Sequence, residues 1–235
     1  KNLRFWSSEQ KSEIIEQYRT NPKVSQIIYN EKNSGGVFKQ WVKGIENAKG
    51  DYIWIAESDD YAAENFLEET FKVIKVAPSI GMVFTKTAAV NEKGVNLNLN
   101  NESLTNSLKK LESFNNTIDR DNAPLFLILD MIILNSSSGL FRKSCLLELN
   151  FKELTQYKNT GDRFTYVGIA LKSKIIYIPK VLNFMRLHGN NTTNKNVENG
   201  NIHRDRLRLL NYYFKSLSES PYKKVLAVFY KINYF

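Results

Sequence analysis

The chain has 235 residues, of which 42% are hydrophobic, so it can bury a full core and is large enough for a single-domain enzyme. Its one cysteine, Cys145, excludes an intrachain disulfide, and no apolar run approaches the ~20 residues needed to span a bilayer. A net charge of +9 and a pI near 9.4 favour anionic partners: nucleic acid, acidic lipid or a nucleoside diphosphate. No signal peptide is expected, a reducing, cytoplasmic setting is expected, and the start at Lys1 suggests a piece of something longer.

In chain order, residues 7–19 read as a helix with Ser7 and Gln10 as a capping box, an apolar stripe at Ile14, Ile15 and Tyr18, and a stop at Asn21-Pro22. A strand is predicted over 24–29. The turn Asn33-Ser34-Gly35-Gly36 opens a second helix, whose Phe38, Trp41, Val42 and Ile45 follow the i, i+3, i+4, i+7 rule and which ends at Gly50. A short β-prone run at 52–55 then leads into Glu57-Ser58-Asp59-Asp60. This strand, helix, strand order implies an α/β fold with a mostly parallel sheet flanked by helices, and ligands bound beyond the carboxyl ends of its strands.

Glu57, Asp59 and Asp60 fall at such an end. Like charges about 5 Å apart at an effective dielectric of about 20 cost roughly 3 kcal/mol per pair. The cluster therefore asks for a cation, and carboxylate-only ligation suits Mg²⁺ or Mn²⁺. The alternative is local: Asp60 as N-cap of the next helix.

That helix is predicted over 62–76, on Phe66, Leu67, Phe71 and Ile74, and a strand over 81–90 before a turn at 91–94. Residues 96–122, rich in Asn, Ser, Leu and Lys, read as a long surface excursion or lid. A buried helix over 124–134 and a strand over 138–142 follow. Asp162 stands at the cap or first turn of another helix, where the macrodipole keeps a carboxylate ionised as a general base; plain capping is the other reading. If 181–190 is a strand, Arg186 and His188 share a face, in a functional or a structural role. Leu207, Leu210, Tyr213, Phe214 and Leu217 form a last helical stripe. The basic, aromatic end, residues 221–235, could lie on a membrane surface or pack on the domain.

Together, Asn33-Ser34-Gly35, residues 38–44, Ala48-Lys49-Gly50-Asp51-Tyr52-Ile53 and Glu57-Ser58-Asp59-Asp60 resemble the donor half of family 2 inverting glycosyltransferases of the GT-A fold. Asn135-Ser136-Ser137 to Arg142, Gly161-Asp162, residues 176–179 and 182–188 resemble the acceptor half in the same order. The resemblance covers roughly residues 10–195, leaving 196–235 as a helical, basic and aromatic extension. It implies Asp59 and His188 as ligands of Mn²⁺ or Mg²⁺, and Asn33, Gly35, Lys39, Glu57, Ser58, Asp60 and Arg186 as contacts of a nucleoside diphosphate sugar. Asp162 would be the base that deprotonates a hydroxyl of a saccharide or lipid-linked acceptor in cell-surface polysaccharide synthesis at the inner face of the membrane. Glu57 replaces the usual first Asp. Phe5-Trp6-Ser7-Ser8 stands where members carry an Asp pair, and the family's first strand is expected to be missing. The alternative is a non-catalytic remnant that binds sugar, protein or membrane. Dispersed Lys and Arg argue against nucleic acid.

Overall fold

The structure, a computed structural model, describes residues 2–6, 9–98, 101–187, 199–217, 221, 222, 224, 227 and 231. It opens on a strand that the sequence reading did not anticipate: β1 (Asn2–Trp6) pairs in parallel with β2 (Val24–Tyr29) as a two-stranded sheet. β-prone Leu3, Phe5 and Trp6 supply it, and its backbone satisfies that of β2. Between them, α1 (Glu9–Glu16) buries Ile15, whereas Ile14 is 59% exposed, so the expected stripe narrows to one residue. α2 (Val37–Asn47) buries Phe38, Trp41 and Ile45, as its spacing requires.

The main sheet has six strands: β3 (Tyr52–Trp54), β4 (Tyr61–Ala62), β5 (Ile80–Val90), β6 (Thr117–Ile118), β7 (Gly139–Arg142) and β8 (Lys174–Arg186). Its order is β3-β7-β5-β8-β4, with β6 also on β8. The α/β expectation holds, but the strand directions are mixed. β5 and β8 run parallel, while β7 is antiparallel to both β3 and β5, and β4 and β6 are antiparallel to β8. β7 is reached after a long excursion and not by a single-helix crossover, so the rule that makes βαβ strands parallel does not bind it. In β8 the register jumps where Ile178 and Val181 face consecutive residues of β5, so Pro179, which has no N–H to donate, sits in the bulge.

The excursion itself contains order. α4 (Glu102–Glu112) is capped by Asn101, whose Oδ1 accepts from Leu104 N at 2.9 Å, and it buries Leu111 with Leu104 and Leu108 packed alongside. A π-helix (Pro124–Leu129) buries Phe126, Leu127 and Ile128. Short helices α5 (Lys143–Leu147) and α6 (Phe151–Leu154) lead to α7 (Gly161–Ala170), which buries most of its length.

α8 (Asn201–Leu217) packs on α7 through Leu209, Leu210 and Tyr213, which join the main core. Of the expected stripe, Leu210 and Tyr213 are buried, Leu207 and Phe214 are half-buried, and Leu209 is added. Buried Asp205 accepts hydrogen bonds from the amides of Lys158 (2.9 Å), Asn159 (2.6 Å) and Thr160 (2.9 Å). It thereby ties the loop that enters α7 to α8. Most of residues 221–235, the membrane-contact segment of the sequence reading, lies outside the described residues, among which no helix is long and apolar enough to cross a membrane.

Arg142, at the end of β7, fastens α3 (Phe66–Ile74) to the sheet. Its guanidinium donates to the carbonyls of Ile74 (2.7 Å), Ala77 (2.9 Å) and Ile80 (2.8 Å) and lies over the Tyr52 ring. A cation at a helix C-terminus meets both the dipole and the orphan carbonyls. Arg142→Ala is expected to cost about 3 kcal/mol, a fall in Tm of roughly 6–12 °C by scanning calorimetry.

Candidate active site

Two loops build the site. The first runs from β3 to β4 and carries residues 57–60; the second is the 3-10 turn Ser136–Ser138 before β7. They are stitched residue by residue. Trp54 Nε1 donates to the Ser137 carbonyl at 2.8 Å, Glu57 N donates to Ser137 Oγ at 3.0 Å, and Ser136 Oγ donates to Glu57 Oε1 at 3.1 Å. Asn135 Nδ2 donates to Asp60 Oδ2, and Arg186 N donates to Asp60 Oδ1 at 3.0 Å. Asp60 is therefore turned toward the turn and β8; the N-cap position of α3 belongs to Asn65.

Glu57, Asp59 and Asp60 each bring a carboxylate oxygen to within 4.8 Å of the others. Burial pushes the Glu57 carboxyl up to about 7, with the charges of Asp60, Asp162 and Asp59 adding to the effect. Asp60 is also raised, chiefly by burial. Three crowded hard-oxygen donors, two of them reluctant to ionise together, fit a divalent cation such as Mg²⁺ or Mn²⁺.

Asp162 is the second residue of α7, and its Oδ1 accepts from Arg163 N at 2.8 Å. The sequence reading expected the macrodipole to hold it ionised. Burial outweighs Arg163 and the backbone hydrogen bonds and pushes its pKa up, against the direction in which the macrodipole acts. Its charge adds to the rise at Glu57. Tyr166, one turn further on, is buried with an unpartnered hydroxyl and feels both Asp162 and Glu57.

Asn33, Gly35 and Lys39 lie at the opening of α2. Asn33 Oδ1 accepts from Gly35 N at 2.9 Å, and Gly35 has φ +73°, which favours glycine. Lys39 is exposed beside Gly35. This turn adjoins α7, because Gly161 lies so close to the Phe38 ring that a Cβ would stand 2.7 Å from it. Lys158 Nζ also donates to the Gly35 carbonyl at 3.4 Å.

Ser58 is exposed next to the cluster. Arg186 reaches the cluster, but its guanidinium is engaged: Nε donates to the Asp59 carbonyl at 3.1 Å and Nη1 to the carbonyls of Asn91 (3.1 Å) and Glu92. His188 lies outside the described residues. Asn135 and Ser137 escaped the sequence-based site set, as did Ser136 and Tyr166; for Tyr166 the four-residue spacing from Asp162 was an available signal.

The model of "Glycosyl transferase family 2" matches residues 7–132, which include the acidic cluster. The chain belongs to glycosyl transferase family 2. Among curated relatives of this family 2 chain, the poly(ribitol-phosphate) β-N-acetylglucosaminyltransferase TarS of Staphylococcus aureus is 34% identical over 91 residues, 38% of this chain and 15% of the relative. An uncharacterised glycosyltransferase of Methanocaldococcus jannaschii, MJ1057, is 32% identical over 89 residues, 37% of this chain and 30% of the relative. The matched stretches thus span less than a third of either relative's length. The crystal structure of S. aureus TarS 1–349 in complex with UDP-GlcNAc superposes with a TM-score of 0.66 at 17% identity, covering 99% of this chain and 63% of that one. The mannosyltransferase PcManGT of Pyrobaculum calidifontis, in complex with GDP-Man and Mn²⁺, gives 0.58 at 14% identity over 97% and 59%. These likenesses establish the GT-A fold for the family 2 chain.

Proposed function

We propose that this chain transfers a glycosyl group, with inversion, from a nucleoside diphosphate sugar to a hydroxyl of a saccharide or lipid-linked acceptor in cell-surface polysaccharide assembly. The observation that carries the reading is the convergence of three carboxylates within 4.8 Å, with the charge of Asp162 adding to the rise at Glu57. Solved neighbours with UDP-GlcNAc, and with GDP-Man and Mn²⁺, support a nucleotide-sugar donor and a divalent metal.

In this reading Asp59, with Glu57 and Asp60, holds Mn²⁺ or Mg²⁺, and His188 completes the ligand set. The ion, when bound, acts as a Lewis acid on the leaving diphosphate. Ser136 and Asn135 fix the carboxylates from behind, so that little rearrangement is needed on binding. Asn33, Gly35, Lys39 and Ser58 border the donor. Arg186, anchored to three carbonyls, contributes a fixed positive charge. Asp162 accepts the proton of the attacking hydroxyl, and its raised pKa brings it nearer the working pH of a general base.

Calorimetric titration with UDP, GDP, dTDP and CDP, each with and without Mn²⁺, tests the reading. One nucleotide is expected to bind in a manganese-dependent manner, which also names the donor class. Absence of binding by a chain shown to be folded would overturn it in favour of a non-catalytic domain.

A further inference from the structure

A chain of polar side chains runs from the middle of the sheet to the acidic cluster. Thr87 of β5 stands beside Asn183 of β8, with Thr87 Oγ1 at 3.0 Å from Asn183 Oδ1 and 3.4 Å from Asn135 Oδ1. Asn135 in turn donates through Nδ2 to Asp60 Oδ2, and Arg186 N donates to Asp60 Oδ1 at 3.0 Å. The pairing of Thr87 with Asn183 is a product of the register jump in β8: carried on unbroken from the pair of Thr85 and Ile178, it would set Thr87 beside Lys180. Asn183 is fully buried, and its Nδ2 has no hydrogen-bond partner. An apolar residue would spare the strand that desolvation cost.

Thr87 has one hydroxyl proton and faces two carbonyl oxygens, so it can serve only one of them. A half-turn of the Asn183 amide answers both demands. Its NH2 group then donates to Thr87 Oγ1, and the Thr87 proton is released to Asn135 Oδ1. Every donor now points the same way, from Asn183 through Thr87 and Asn135 to Asp60, and donation in series strengthens each next bond. With one bond to each oxygen, the Asp60 carboxylate is fixed in orientation and keeps a lone pair on each oxygen for a cation. We propose that Asn183 and Thr87 are positioning residues for Asp60, holding its carboxylate through Asn135 in the orientation that binds the ion. The proposal rests on the reading of Glu57, Asp59 and Asp60 as the metal site.

The test compares the full-length wild type with Thr87→Val, Thr87→Ser, Asn183→Leu and Thr85→Val, each shown by thermal melting to be folded. Thr85 is the control, because its hydroxyl is also buried on β5 but has no partner to lose. Two quantities are read: Mn²⁺ affinity, from the electron paramagnetic resonance of the free ion, and the side-chain amide resonances of Asn135 in EDTA, assigned by their loss in Asn135→Ala. Thr87→Val and Asn183→Leu are expected to weaken Mn²⁺ binding about three- to tenfold and to move the Asn135 resonances. Thr87→Ser, which keeps the hydroxyl, should recover both, and Thr85→Val should change neither. Should Asn183→Leu not fold, the two Thr87 variants carry the test. Unchanged Mn²⁺ affinity in Thr87→Val, or an equal loss in Thr85→Val or Thr87→Ser, would reduce the chain to sheet packing and overturn the proposal. Failure of wild type to bind Mn²⁺, with the Asn135 resonances still moved by Thr87→Val and restored by Thr87→Ser, would sink the metal reading and leave the positioning of Asp60 standing.

Discussion

Asp162→Asn is expected to lower the glycosyl transfer rate by roughly 10²–10⁴-fold while leaving nucleotide affinity intact. The amide keeps the size of the side chain and can still accept from Arg163 N, so α7 retains its start. What it loses, in the proposed role of Asp162 as base, is the ability to take a proton from the acceptor. Because burial raises the pKa of Asp162, the acid limb of the wild-type rate profile should fall at a pH above that of an ordinary aspartate, and the residual rate of the variant should lack that limb. A variant that retains the full rate with normal donor affinity would place the base elsewhere.

Glu57→Gln should have opposite effects with and without metal. In the metal-free protein the folded-state pKa of about 7 lies above the ordinary 4.5. Below about pH 4.5 both states are protonated and the residue costs nothing; between about pH 4.5 and 7 the folded state retains a proton that the unfolded state has released, so stability falls across that window and levels off above it. The variant, which cannot ionise, should therefore match wild type near pH 4 and exceed it near pH 8 in EDTA, by on the order of 1–3 kcal/mol once solvent screening of the partly exposed carboxylate is allowed for. With Mn²⁺ the order should reverse, since wild type gains about 4.1 kcal/mol at a thousandfold excess over Kd while the variant binds the ion less well. Denaturant titrations at both pH values, with EDTA and with Mn²⁺, decide it. Equal stability near pH 8 would mean that Glu57 is not crowded, and the physical case for a cation there would fail.

What the sequence made legible was local. The i, i+3, i+7 positions of α2, the strand end that delivers Glu57, Asp59 and Asp60, and the first-turn place of Asp162 are all set by residues within one or two turns of each other. What it hid was long-range or compositional. The partners of Glu57 lie 79 and 80 positions away in sequence, at Ser136 and Ser137, and no periodicity announces such a pair. α4 was masked because Asn, Ser and Lys dominate its exposed face, although Leu104, Leu108 and Leu111 keep helical spacing. The direction of β7 followed from where the excursion returns, which composition does not encode. The sign of the Asp162 shift depended on how much of the core closes over α7, so the local dipole argument chose the weaker effect.

The bond from Asp205 to the three amides ahead of α7 constrains what recombination can do to this domain. The family model stops at residue 132, and the acidic cluster lies wholly within it, yet the loop that leads to Asp162 is held from residue 205. A chimaera that keeps residues 1–187 and takes a tail without an acid at the position of Asp205 would carry the acidic cluster but leave those amides without their acceptor. The parts before and after the end of β8 therefore cannot be exchanged as separate modules; a workable junction must carry the carboxylate of α8 along with the loop it ties.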